Sequence, residues 1–124
     1  MLDLGVIEPS DAEWSFSVVE VPKPGSHFRF CVEDRRLNER TVKDVYPIPS
    51  MDDCLDSLGD ATTFCTLDCN AGYWKILVAA EDRDKTAFPS HTDLFWFLRL
   101  PFGLLNAPAS FQRTLDIILS VLRW

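Results

Sequence analysis

The run Leu94-Phe95-Trp96-Phe97-Leu98-Arg99-Leu100 constrains this chain more than any other stretch. Six of its seven residues are apolar. An extended strand points successive side chains to opposite sides, so both faces of this one need cover. Pro101-Phe102-Gly103 ends it, because proline lacks the N–H that a ladder requires. The expectation is a strand buried on both faces. No apolar run approaches the roughly 20 residues of a membrane span.

Other elements are read around it. Met1–Gly5 reads as the last turn of a helix closed by glycine. Ser15–Val21 and Phe28–Val32 read as a hairpin across the turn Pro22-Lys23-Pro24-Gly25-Ser26. Tyr46-Pro47-Ile48-Pro49 cannot be helix interior. Ser50 then caps a helix over Met51–Leu58, with Asp52 and Asp53 in its first turn and Gly59 after it. Thr63–Leu67 and Tyr73–Ala79 read as strands. Asn106 can cap a last helix with Pro108 in its first turn. Phe111, Leu115, Ile118, Leu119 and Leu122 form one apolar stripe along it, still running as Trp124 is reached.

With 124 residues, 47% hydrophobic and 25% charged, the chain is the size of one globular domain, not a disordered or low-complexity segment. Its net charge of −7 is a poor prior for a free-standing nucleic-acid binder, since phosphate contacts need Lys and Arg. The charge is uneven. Residues 23–43 hold six cations (Lys23, Arg29, Arg35, Arg36, Arg40 and Lys43) against Glu33, Asp34 and Glu39, a local excess of +3. That segment can attract phosphate; on charge alone a solvated hairpin surface is the favoured reading. Cys31, Cys54, Cys65 and Cys69 lack the paired spacing of a zinc site, and His27 and His91 stand alone. Buried reduced thiols, no export signal and an intracellular setting are the expectation.

Asp68 ends the apolar run Phe64-Cys65-Thr66-Leu67. A carboxylate there is costly to desolvate unless a cation meets it. A divalent metal is one answer. The other is that Asp68 caps the turn Asp68-Cys69-Asn70-Ala71-Gly72, and spacing alone leaves the turn cap somewhat ahead. Tyr73, taken alone, is an ordinary core aromatic.

Several segments occur in a particular order: Arg29-Phe30-Cys31-Val32 and Leu37-Asn38, Thr41-Val42-Lys43-Asp44 with Tyr46-Pro47-Ile48-Pro49, and Phe64–Asp68 leading to Gly72-Tyr73-Trp74. Lys85-Thr86-Ala87-Phe88, Pro101-Phe102-Gly103-Leu104, Asn106-Ala107-Pro108 and Phe111-Gln112 follow. Together they resemble the reverse transcriptase of Ty3/gypsy-type LTR retrotransposons, over nearly the whole chain. The resemblance implies an α+β fold: part of a right-hand polymerase, with a fingers β-hairpin and an incomplete palm sheet with packed helices. Residues 1–60 would be fingers-like, and 61–124 the first part of the palm with a returning fingers segment. Asp68 matches the first metal-binding aspartate, the catalytic carboxylate, and the backbone carbonyl of Cys69 a further ligand. Two Mg²⁺ ions would act there in phosphoryl transfer. Tyr73 matches the aromatic gate that selects deoxynucleotides. Lys23 and Arg29 match the triphosphate clamp, with the turn after Lys23 one residue longer than usual, and Phe102 matches a position lining the nucleotide pocket. Template-primer and dNTP are the implied partners, within a pol polyprotein and with no membrane.

The chain also departs from that pattern. Glu33-Asp34 replaces Asp-Tyr, which places a negative charge beside Arg35. Ser17 replaces proline, Lys75 glutamine and Asp93 glycine. No Asp-Asp pair follows Asp68, so the Tyr-x-Asp-Asp hairpin of the family is missing, and the 124 residues alone are expected not to polymerise. Leaving out those strands is expected to leave the domain marginal or aggregation-prone. The competing readings are a non-catalytic nucleic-acid-binding or protein-interaction module derived from a retroelement, and a product without function.

Overall fold

The computed structural model describes residues 1–25 and 27–122. Ser26 of the expected turn and Trp124 at the end of the stripe lie outside the described residues. The fold is α+β. Its centre is a three-stranded antiparallel sheet in the order β1–β5–β4, with β1 over Ile7–Pro9, β4 over Phe88–Pro89 and β5 over Leu94–Phe97. Ile7 stands opposite Phe97, and Phe88 opposite Phe95. Pro9 and Pro89 sit on the two outer strands, where a missing N–H is tolerated. Beyond β5 the ladder continues as an isolated bridge between Leu77 and Arg99.

Burial in β5 alternates, contrary to the expectation of two covered faces. Phe95 and Phe97 are buried and pack with Val6, Ile7 and Phe88. Leu94 and Trp96 are half-buried. The cause is a polar edge on the second face: the Trp96 indole N–H donates to Glu8 Oε1 at 2.7 Å, and Arg83 stands 3.5 Å from the same oxygen. A tryptophan whose N–H is paired can lie flat at a wet boundary without a second apolar layer.

β2 (Val18–Lys23) and β3 (His27–Val32) form a separate hairpin. β2 begins later than the sequence pattern indicates. Upstream of it, Phe16 N–H donates to Ala87 and Ser17 C=O accepts from Glu33, so these residues bridge other segments. The register places Val18, Glu20 and Pro22 on one face with Val32, Phe30 and Phe28. That face turns toward the core: Phe30 meets the Phe88 ring edge-on at 5.2 Å, and Val18 and Val32 pack against the buried cluster.

α1 (Arg35–Arg40) has no buried residue and no apolar period, which is why the sequence reads only as charged surface there. α2 (Met51–Leu58) forms as expected, with a full capping box between Ser50 and Asp53. Those bonds from Ser50 also hold the Asp53 carboxyl below its ordinary value. Residues 1–5 make the two closing bonds of a helix end, Val6 N–H to Met1 and Gly5 N–H to Leu2, around a left-handed Gly5, but form a turn only. Thr63–Leu67 is not a strand. It is exposed and pairs with no described segment, and an apolar run becomes a strand only beside a partner. The expected strand Tyr73–Ala79 is also revised: Gly72–Lys75 winds into a 3₁₀ turn, and only the following residues extend to bridge Leu98–Leu100.

α3 (Ala107–Ile118) follows Asn106, but the asparagine side chain does not cap it. It reaches sideways instead, accepting from Asp44 N–H at 2.9 Å and donating to Val42 C=O at 2.8 Å. The stripe is covered only at its start: Phe111 and Leu115 are half-buried, whereas Ile118, Leu119 and Leu122 are exposed. Among the described residues, no helix is long and apolar enough to cross a membrane.

Phe88 touches Phe30, Phe95 and Phe97 and is 2% exposed, so it joins hairpin to sheet. Phe88→Ala is expected to lower unfolding free energy by about 3 kcal/mol or more, read as a shifted urea midpoint.

Candidate active site

Two segments leave the same rung of the sheet. Leu100 N–H donates to Ile76 C=O at 2.9 Å, and Val78 N–H to Leu98 C=O at 3.0 Å. Tyr73 lies three residues before Ile76 and Phe102 two residues after Leu100, so the rung fixes them side by side. Their ring centroids are 4.9 Å apart. Phe111 of α3 meets Tyr73 edge-on at 5.3 Å. Gly72 makes that approach possible, since a Cβ there would stand 2.7 Å from the Phe111 ring. Ala71 precedes it in the left-handed region at φ 50°, a conformation that costs a non-glycine residue on the order of 1 kcal/mol.

These rings floor a shallow cleft of about 280 Å³ lined by Leu67, Asp68, Cys69, Gly72, Tyr73, Phe102 and Phe111. Four residues singled out in the sequence, Asp68, Cys69, Tyr73 and Phe102, thus share one site. Asp68 is exposed and takes no hydrogen bond from the turn that follows it, so the turn-cap alternative is not realised. Lys23 and Arg29 do not line this cleft. The hairpin register puts both on the face opposite Phe30, pointing away from the core, and both are exposed. A larger cleft of about 990 Å³ opens between α1 and residues 76–79 and 104–107; Arg36 and Arg40 of the basic segment line it, and none of Lys23, Arg29, Asp68, Cys69, Tyr73 and Phe102 does.

The loop carrying Phe102 is held by α1. Asn38 donates to Gly103 C=O and accepts from Leu105 N–H, each at 2.8 Å. Gly103 has φ 107°, which only glycine adopts without strain. Asp34, just before α1, is buried beneath it: a Cβ on Gly103 would stand 2.8 Å from Asp34 Oδ2. Burial, with Glu33 adding repulsion, raises the Asp34 carboxyl from 3.8 to about 6. The sequence reading sets Asp34 as a negative charge beside Arg35, weakening the attraction of that segment for phosphate. The structure corrects this, since Arg35 pairs with Glu33 at 3.0 Å and Asp34 lies inside. The departure at Glu33-Asp34 was the available signal for the burial, and no periodicity pointed to Asn38 or Gly103.

On the far side of α3, Arg113 grips Asp44 at 2.9 Å and lies 4.6 Å over the Tyr46 ring, while the Tyr46 hydroxyl donates to Asp116 at 2.8 Å. Gln112 donates to Asp116 at 3.2 Å. These contacts, with Asn106, fasten residues 42–46 to the helix that floors the cleft.

A hard divalent ion takes about six oxygens. Asp68 offers one carboxylate, and the described residues contain no group of three or more His, Cys, Asp or Glu able to hold a metal. The donors present do not make up a metal centre on their own.

Residues 21–124 match the family model described as reverse transcriptase (RNA-dependent DNA polymerase). The chain belongs to the reverse transcriptase family. It is 44% identical over 124 residues to the retrovirus-related Pol polyprotein from transposon opus of Drosophila melanogaster, and 41% identical over 125 residues to that from transposon gypsy of the same organism. Each match covers 96% of this chain and 12% of the relative, so the chain is a reverse transcriptase segment spanning about an eighth of these polyproteins. The foamy viral protease-reverse transcriptase solved with an RNA/DNA hybrid shares the fold, with TM-score 0.78 and 24% identity over 98% of this chain and 16% of that one. The α+β partial polymerase fold and the retrotransposon reverse transcriptase character expected from the sequence are both borne out.

The Asp34 titration carries a stability consequence. A carboxyl whose folded value lies above its unfolded value contributes stability that is complete below 3.8 and lost as pH rises through about 6. The loss is on the order of 3 kcal/mol. Asp34→Asn is expected to remove this component, so that the difference in urea midpoint between variant and parent widens from pH 4 to pH 7 in favour of the variant.

Proposed function

We propose that this chain is the part of an RNA-directed DNA polymerase that holds the first catalytic carboxylate and the floor of the nucleotide site. The observation that carries the reading is the gathering of Asp68, Cys69, Tyr73 and Phe102 around one cleft in a reverse transcriptase segment. Residues 1–60 are read as fingers-like and 61–124 as the first part of the palm with a returning fingers segment. Asp68 is one carboxylate of a divalent-ion site, with Mg²⁺ the favoured ion, and Cys69 a neighbour supplying its carbonyl. Such ions supply charge stabilisation in phosphoryl transfer. The described donors do not complete that site, and the 124 residues alone are read as inactive.

The roles of the chain's own side chains follow from their places. Tyr73, backed by Phe111 and fixed beside Phe102, is a rigid ring on which a nucleotide sugar can rest, and its bulk disfavours a 2′-hydroxyl. Phe102 forms the adjoining wall. Lys23 and Arg29 share the outer face of the hairpin, where an ammonium and a guanidinium can meet a triphosphate approaching from solvent. Template-primer and dNTP are the proposed partners. The relative solved with an RNA/DNA hybrid supports the first of these.

The test replaces the matching segment of the transposon gypsy polyprotein with these residues and measures primer extension on an RNA template. Extension is expected, with Asp68→Asn reducing it on the order of 10³-fold and Tyr73→Ala raising ribonucleotide incorporation about tenfold. Extension that survives Asp68→Asn sinks the assignment. A folded chimera that binds template-primer with steep salt dependence and never extends it favours the non-catalytic binding module.

A further inference from the structure

Asp34 is 5% exposed, and its Oδ2 has no hydrogen-bond partner. Buried carboxylates ordinarily collect donors, because an ionised oxygen without one bears the full cost of lost hydration. The groups around Asp34 do not supply one. Glu33 is itself acidic and is paired with Arg35, whose side chain is 84% exposed. On α1, Asn38 commits its amide to the loop above, on Gly103 and Leu105. Facing it, Gly103 brings backbone alone, and its neighbours Pro101 and Phe102 carry no titratable side chain. Gly103 lies directly on the carboxyl, and Phe102, the residue before it, leans on Tyr73 and Trp74.

We propose that Asp34 is a positioning residue whose carboxyl seats the Phe102 loop: neutral, it packs dry under Gly103 and holds Phe102 against Tyr73; ionised, it draws water beneath the loop and loosens that contact. The Asp68 cleft thereby changes shape with proton uptake at a side chain that does not line it. The raised Asp34 value, about 6, puts the change within reach of ordinary solution conditions. Glu33 is the charged neighbour that tunes it. The consequence for nucleotides rests on the reading of Phe102 given above, whereas the loop response itself needs no nucleotide.

Nuclear magnetic resonance on the 124-residue chain tests it. The Asp34 carboxyl carbon, the Gly103 and Leu105 amides and the Phe102–Tyr73 ring contacts are followed between pH 4 and pH 8. The rings of His27 and His91 are tracked separately. The expected result is one midpoint near 6 shared by Asp34 and both amides, with ring contacts weakening above it. Asp34→Asn should abolish both amide titrations, and Glu33→Gln should lower the shared midpoint without uncoupling them. An Asp34 midpoint near 3.8, amides that stay still through its titration, or amides that titrate unchanged in Asp34→Asn overturn the proposal. The parent chain's own carboxyl and amide curves decide it even if the asparagine variant does not fold. A shared midpoint, together with dNTP affinity in the gypsy chimera that ignores Asp34→Asn, would sustain the loop seat and remove Phe102 from the nucleotide site.

Discussion

The arrangement depends on β5 having both edges paired. β1, nearly ninety residues earlier in the chain, bonds one edge, and β4, from the segment just before, bonds the other. Because every buried backbone group needs a partner, this pairing ties the start of the chain to its second half. The rungs beyond β5 then align residues 76–78 with 98–100. The cleft therefore inherits its geometry from backbone bonds, and its side chains need only fill the space those bonds leave.

Much of the architecture is legible in local chemistry. The capping box at Ser50, the prolines at 47 and 49, and the glycine at 59 mark α2 to the residue. The hairpin is visible because its turn residues stand between two runs rich in Val and Phe. Two kinds of feature escape. Very short strands such as Ile7–Pro9 and Phe88–Pro89 carry too few residues for a period, and exist because β5 offers them free edges. Thr63–Leu67 shows the reverse, a run with strand composition and no described edge to join. Composition proposes a strand, and only a neighbour makes one.

The cleft divides in the same way. Asp68, Cys69, Tyr73 and Phe102 are chosen by their motifs, and the fold gathers them. Asn38, Asp34 and Gly103 act through two hydrogen bonds and one close approach across more than sixty residues of chain, for which sequence spacing carries no signal. Asn106 shows how local chemistry misleads: it has the side chain of a helix cap, yet two bonds to the 42–44 segment claim it first. The hairpin cations are a separate matter. The register fixes their shared face, while nothing in the sheet ties them to the rings.

α2 is built unlike the other elements. It closes its own first turn, buries no residue, and shows Met51, Leu55 and Leu58 to the exterior. Its order comes from within the segment, whereas β1 and β4 borrow theirs from β5. The molecule thus contains two grades of cooperativity. Loss of the central sheet would dissolve the cleft at a stroke, while the eight residues of α2, which bury nothing, could wind and unwind as an almost independent unit.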